Sequence, residues 1–303
     1  MLSGGAAAVP QVHERRIAVT IDDLPTASVL GHDIVAAEGT TRTLVGALVR
    51  HGIPAIGFVN ERKLQRNGNV DPRRVALLER WLAAGLELGN HTYSHPDLHT
   101  TPLEEFQREV VDGERVTRKL LAARNKPLEF FRHPFLHTGR SLEIKASFEA
   151  FLGKNGYRIA PVTVDNYDYV FAAAYDRTGA KGDKVRQRRV ADEYIAYMDS
   201  VLRFYEDQSV KILKREIAQT LLLHASALNA ENLDRLAGSL RARGYRFVTL
   251  SEALKDPDYR RPDEYIGPAG ITWLHRWAMT EGMKGSTFAG EPAVPVWIEA
   301  ASK

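Results

Sequence analysis

The stretch Ile17-Ala-Val-Thr-Ile-Asp-Asp-Leu-Pro25 joins an apolar, β-branched run to two adjacent carboxylates and a proline. Such a run reads as a buried strand, and the carboxylates fall just past its carboxyl end. Outward from it, between Arg16 and Leu250, short β-branched runs alternate with longer amphipathic stretches, the pattern of βα units around a parallel sheet. Further strands are expected at Ala55–Val59, Leu86–Leu88, Leu128–Phe131, Ile159–Val164, Thr220–Leu223 and Arg246–Leu250, seven in all with the first.

The helices between them carry recognisable ends. Asp71-Pro72 places an N-cap before a proline in the first turn, Val75, Leu78 and Leu82 form an apolar face, and Gly85 suits the stop. Thr101-Pro-Leu-Glu104 fits a capping box, Ser141 can cap a helix that turns Ile144, Phe148, Phe151 and Leu152 inward, and Asn229 opens a stripe of Leu233, Leu236 and Leu240. The charged, glycine-containing segment Asp176–Arg189 reads as a solvated loop. Beyond Asp256 the chain is rich in proline and glycine, and Trp273 and Trp277 stand one helical turn apart, which suggests a terminal element laid across a barrel. The organisation expected is a flexible segment 1–15, a barrel over 16–255 and an extension over 256–303 packed on it.

Composition agrees with a compact globular chain. Its 303 residues are 44% hydrophobic and 26% charged, and α/β barrels of this length commonly form one domain. Lysine and arginine (41) barely exceed aspartate and glutamate (38), so the pI of about 9.0 gives little reason to expect a nucleic acid or other polyanionic partner. There is no cysteine, which excludes disulfides and thiolate ligands and leaves His, Asp and Glu as possible metal donors. No apolar run approaches the roughly 20 residues of a membrane span. Met1–Pro10 lacks the basic and long apolar segments of a complete signal peptide.

Polar residues that suit catalysis follow five of the expected strands: Asp22 and Asp23, His91, Arg132, Asp165 and Asp168, and His224. Strand carboxyl ends share one face of a βα barrel, so these residues can converge from distant positions. His91-Thr-Tyr-Ser-His95 is expected as a tight turn, because Pro96 disfavours a helical His95. Two imidazoles with a carboxylate from Asp22 or Asp23 would make a three-donor zinc site, and the other aspartate would be free to act on water. Taken alone, each motif also has a plain structural use, as an Asx-turn at the strand end or loop histidines bonded to backbone. An arginine at 132 can hold a nearby carboxylate ionised, and His224 can donate a proton, oriented by Asp165 or Asp168.

At these residues the chain resembles the polysaccharide deacetylases of carbohydrate esterase family 4, which carry the NodB homology domain. The resemblance spans roughly Arg16 to Leu254 through Thr20-Ile-Asp-Asp-Leu-Pro25, His91-Thr-Tyr-Ser-His95, Arg132-His-Pro-Phe135, Asp165-Asn-Tyr-Asp-Tyr169 and Leu222-Leu-His224. It implies an α/β fold, a distorted (β/α)7 barrel, with a divalent metal, usually zinc, on Asp23, His91 and His95. It further implies Asp22 as general base, His224 as general acid, Arg132 orienting Asp22, Asp168 tuning His224, and the Phe135 N–H binding the oxyanion, with Tyr169 and Leu222 also on the substrate side. Ile21 and Leu24 replace the family's common phenylalanine and glycine, Phe135 a frequent tyrosine and Tyr169 a usual tryptophan, so the departures concern substrate more than metal.

The activity expected is release of acetate from an N- or O-acetylated oligo- or polysaccharide of the chitin, peptidoglycan or xylan type. The resemblance favours a periplasmic or secreted location. The alternatives are an allantoinase-like cyclic-amide hydrolase on the same fold and a catalytically silent carbohydrate-binding relative. Substrate-selecting loops are expected around His32–Thr41, His99, His137–Arg140 and Asp176–Arg189.

Overall fold

The computed structural model describes residues 14–31 and 33–303. His32 and most of the segment expected to be flexible therefore lie outside the described residues, while Arg15 already belongs to a strand. The seven strands of the main sheet are β1 (Arg15–Leu24), β2 (Ile56–Val59), β3 (Glu87–Asn90), β4 (Phe130–Phe131), β5 (Arg158–Ile159), β6 (Gln219–His224) and β7 (Tyr245–Phe247). They run parallel in the order β5-β4-β3-β2-β1-β6, and β7 pairs with the beginning of β1. The residues from Ile17 to Asp22 are buried, as a strand covered on both faces requires.

The expected strand over 159–164 is broken. Only Arg158 and Ile159 pair with β4; Pro161 follows, and Val164 then bridges to Leu221 of β6. Proline has no N–H to continue the ladder, so the segment changes partners there and the barrel closes through a single irregular bridge. The helix Trp273–Thr280 stitches this gap, its first N–H donating to the Val162 carbonyl at 2.7 Å. Trp273 and Trp277 are both buried.

Three other local expectations need correction. Asp176–Arg189 is no loop but the end of one helix, Asp168–Ala180, and the start of another, Lys184–Leu213, with a turn at 181–183. Apart from Asp176, which is buried and accepts from Ser28 Oγ, its charges lie on the solvated faces of helices whose other faces bury Phe171, Ala174, Val190 and Tyr194. The capping box at Thr101 does not form: Pro102 is the N-cap of Leu103–Asp112 without a side-chain bond, and the Thr101 N–H donates back to the Asp97 carbonyl. Ser226, not Asn229, caps the helix Ala227–Ala242, although the stripe of Leu233, Leu236 and Leu240 is buried as read. Asp71 and Ser141 do cap their helices through side-chain oxygens. No helix among the described residues is long and apolar enough to cross a membrane.

Candidate active site

Register explains why distant residues meet. Asp22 is the direct partner of His224 at the ends of β1 and β6. On the other side Val59 pairs Asn90, and Asn90 pairs Phe131, so His91 and Arg132 leave neighbouring strands at one level. Asp22, His91 and His224 open on a cavity of about 680 Å³, the size of a small-ligand site, lined also by Asp23, His95, His133, Phe135, Asp165, Tyr169 and Leu222. Arg132 and Asp168 lie behind this wall.

Asp22 and Asp23 are separated by a β-bulge. Between Ile21 and Leu24, three steps along β1 face two along β2, and Asp23 takes a left-handed φ of 71°. A bulge re-aims side chains, which sends the two carboxylates in different directions. Asp23 joins His91 and His95 in a cluster whose donor atoms lie within 4.8 Å of one another. The turn 91–95 is non-helical, with Thr92 and His95 at φ 67° and 64°. It is tied to the helix Leu103–Asp112 by bonds from Tyr93 N to the Glu109 carbonyl and from Ser94 N to Glu109 Oε2.

The donors fit a divalent cation. His91 Nδ1–H donates to the Arg132 carbonyl at 2.8 Å, which leaves the Nε2 lone pair for a ligand. Burial pushes both His91 and His95 down to about 4, so both imidazoles are neutral near pH 7. Burial opposes ionisation of Asp23 as well, but Lys63 and the histidines outweigh it and hold that carboxyl well below the usual range. A carboxylate with two neutral imidazoles is a common catalytic zinc set.

Asp22 has the opposite environment. Burial raises its pKa against the pull of Arg132, whose Nη1 stands 3.6 Å from Asp22 Oδ2. That distance is an ion pair and not a hydrogen bond; Arg132 instead donates from Nη2 to Thr20 Oγ1 at 2.8 Å and lies over the Phe58 ring. Asp22 Oδ1 has no hydrogen-bond partner.

His224 is held by Asp168, not Asp165. Its Nδ1–H donates to Asp168 Oδ1 at 2.7 Å and its backbone N–H to Oδ2 at 2.8 Å. Burial pushes the imidazole pKa down, but the Asp168 charge and hydrogen bond, with Asp23 and Asp22, more than reverse this and raise it to about 9. Asp165 lines the cavity and is pushed up to about 7 by burial.

On the substrate side, Leu222 is buried, while Phe135 and Tyr169 are 54% and 52% exposed. The Phe135 ring meets His95 edge-on at 4.5 Å, and Tyr169 approaches His224 at 5.9 Å. Phe135 and Leu136 both have positive φ, 57° and 54°. The Phe135 N–H has no hydrogen-bond acceptor among the described residues.

Residues that the sequence reading did not place in the site also support it. Lys63 pairs with Asp23 Oδ1 at 3.1 Å and donates to its carbonyl at 3.2 Å. Asn229 donates to Asp168 Oδ2 at 2.6 Å and to the His224 carbonyl at 2.8 Å, and accepts from the buried Tyr194 hydroxyl. A lone lysine or a first-turn asparagine has no sequence signature, although the pairing of Asn229 with a motif five residues upstream was a usable hint. Nearby, Asp97, His99 and His137 also gather; His137 donates to Asp97 at 2.7 Å and stacks on His99.

Comparison with known proteins agrees with this geometry. The family model described as polysaccharide deacetylase matches residues 10–150. A chitin deacetylase from Colletotrichum lindemuthianum is 26% identical over 223 residues, covering 71% of this chain and 75% of that protein. Among solved structures, the chitin deacetylase of the same fungus superposes with a TM-score of 0.52 and 22% identity over 80% of this chain and 89% of that one. A family pseudoenzyme from Bacillus anthracis superposes with a TM-score of 0.50 and 18% identity over 80% of this chain and 66% of that one. The architecture is thus the distorted barrel of NodB-type deacetylases. Over residues 10–150 the chain is thus similar to the polysaccharide deacetylase family, and its fold is similar to that of the solved deacetylases.

Proposed function

We propose that this protein hydrolyses acetyl groups from an oligo- or polysaccharide, using a divalent cation, zinc by the donor set, held by Asp23, His91 and His95. One observation carries the reading: a three-donor cluster, an uncommitted carboxylate and a positively charged histidine border a single cavity. When bound, the cation supplies Lewis acidity that polarises the acetyl carbonyl and acidifies a water.

The remaining steps belong to the chain. Asp22 takes the proton of the attacking water; its raised pKa makes it a stronger base than a surface aspartate, and Arg132 keeps it ionised. As the carbonyl becomes tetrahedral, the Phe135 N–H donates to the developing oxyanion. His224, with Nδ1 committed to Asp168, presents Nε2–H and protonates the departing sugar nitrogen or oxygen as the bond to the acetyl carbon breaks.

The test is acetate release from a panel of chitin oligomers, peptidoglycan fragments, acetylated xylan and allantoin-type cyclic amides, by chelator-treated protein with and without added zinc. Zinc-dependent acetate from a glycan supports the proposal. Silence of the zinc-loaded protein on every glycan contradicts it, and ring opening of the amides alone would favour the cyclic-amide alternative.

A further inference from the structure

The turn that carries the Phe135 N–H is gripped by a part of the chain that lies beyond all seven strands. Arg276, in the helix Trp273–Thr280, is 1% exposed and spreads its guanidinium over three acceptors. Nη1 donates to Thr138 Oγ1 at 2.8 Å, Nη2 to the Leu136 carbonyl, and Nε to the Ile271 carbonyl at 3.0 Å. The rings of Trp273 and Tyr265 lie 4.6 and 5.0 Å from the guanidinium, and Asp263 supplies a counter-charge at 3.5 Å. Next to this fork, Gly270 lies against the Phe135 carbonyl so closely that a β-carbon at 270 would overlap that oxygen. Arg276 and Gly270 thus bracket the two residues that stand in left-handed backbone, Phe135 and Leu136. On the other flank, His137 is held by Asp97.

We propose that Arg276, with Gly270, is a positioning device for deacetylation: the extension clamps the left-handed Phe135–Leu136 turn and so aims the Phe135 N–H at the oxyanion. Arginine suits this task because its planar fork fixes two acceptors in one direction, which lysine cannot do. Left-handed backbone at two successive bulky residues persists only where its surroundings over-determine it, and the fork and the close glycine contact provide that. The inference rests on the deacetylase reading above.

The experiment compares wild type with Arg276→Ala, Arg276→Lys and Gly270→Ala, each zinc-loaded, measuring kcat and KM for acetate release, zinc affinity, and hydrogen exchange over 132–138. With the N–H misaimed, kcat is expected to fall on the order of 100-fold in Arg276→Ala, with KM and zinc affinity within about threefold of wild type. Exchange of the 132–138 amides should quicken at least about tenfold while that of 91–95 is unchanged, and millimolar guanidinium should restore part of the lost kcat. Arg276→Lys should recover little. Gly270→Ala, which leaves the arginine in place, should lower kcat in the same direction and keeps the test open if Arg276→Ala does not fold. An unchanged kcat, or a loss matched by zinc affinity, overturns the proposal. Wild-type silence on all acetylated glycans would instead overturn the deacetylase reading itself.

Discussion

Asp22 and Asp23 are sequence neighbours with opposite acid–base character, and the bulge between Ile21 and Leu24 is the cause. It leaves Asp23 beside Lys63 and two imidazoles, which favour its charge, and Asp22 in a buried position where desolvation dominates. Before the resemblance is invoked, the residue types make a metal hydrolase legible but not this division, because a bulge has no signature in Thr20-Ile-Asp-Asp. Non-glycine backbone with positive φ also marks the site: of eight such residues described, Asp23, Thr92, His95, Phe135 and Leu136 lie there. Each costs on the order of 1–3 kcal/mol, a cost usually met at functional sites. His224 provides a test at this scale. Folding raises its pKa from 6.5 to about 9, so the charged pair with Asp168 contributes stability that is full below pH 6.5 and lost as pH rises through about 9. Chelator-treated wild type should therefore lose melting temperature relative to His224→Gln across that window. A constant difference between the two would contradict the assignment.

At the scale of elements, the helix Ala227–Ala242 does more than cover the sheet. Ser226 caps it, which places Asn229 in the first turn, under Asp168 and against Tyr194. Replacing Asn229 by alanine strands the Tyr194 hydroxyl and removes a donor from a buried carboxylate, a loss of about 1–3 kcal/mol. Urea unfolding should show that loss, and kcat should fall because Asp168 no longer holds the imidazole of His224 in one orientation. The amphipathic stripes made this helix and its neighbours readable, since Leu233, Leu236 and Leu240 recur at helical spacing. Asp176–Arg189 misled because charge density and glycine suggest a loop, whereas the buried faces that decide the matter lie partly outside that window, at Phe171 and Tyr194. The break at Pro161 was legible in principle, because a proline inside a run read as an inner strand argues against its continuity.

For the whole molecule, the extension past Asp256 completes the barrel instead of merely decorating it. Trp273 closes the gap between β5 and β6 through Val162, and Trp277, 1% exposed, packs edge-on to Tyr259. Trp277→Ala should destabilise the protein by about 3–5 kcal/mol, as expected for emptying a buried tryptophan site, and a calorimetric change under 1 kcal/mol would show that the extension is loosely held. The two tryptophans one turn apart announced a packed helix; that its arginine reaches the Phe135 turn depends on tertiary contacts no local pattern encodes. The central claim is that Asp23, His91 and His95 hold the cation while Asp22 stays free to act on water. Its most direct test is acetate release by Asp22→Asn loaded with one zinc per chain, on whichever glycan wild type accepts. The account predicts a rate at least about 100-fold below wild type with zinc still bound. A near-native rate would contradict it.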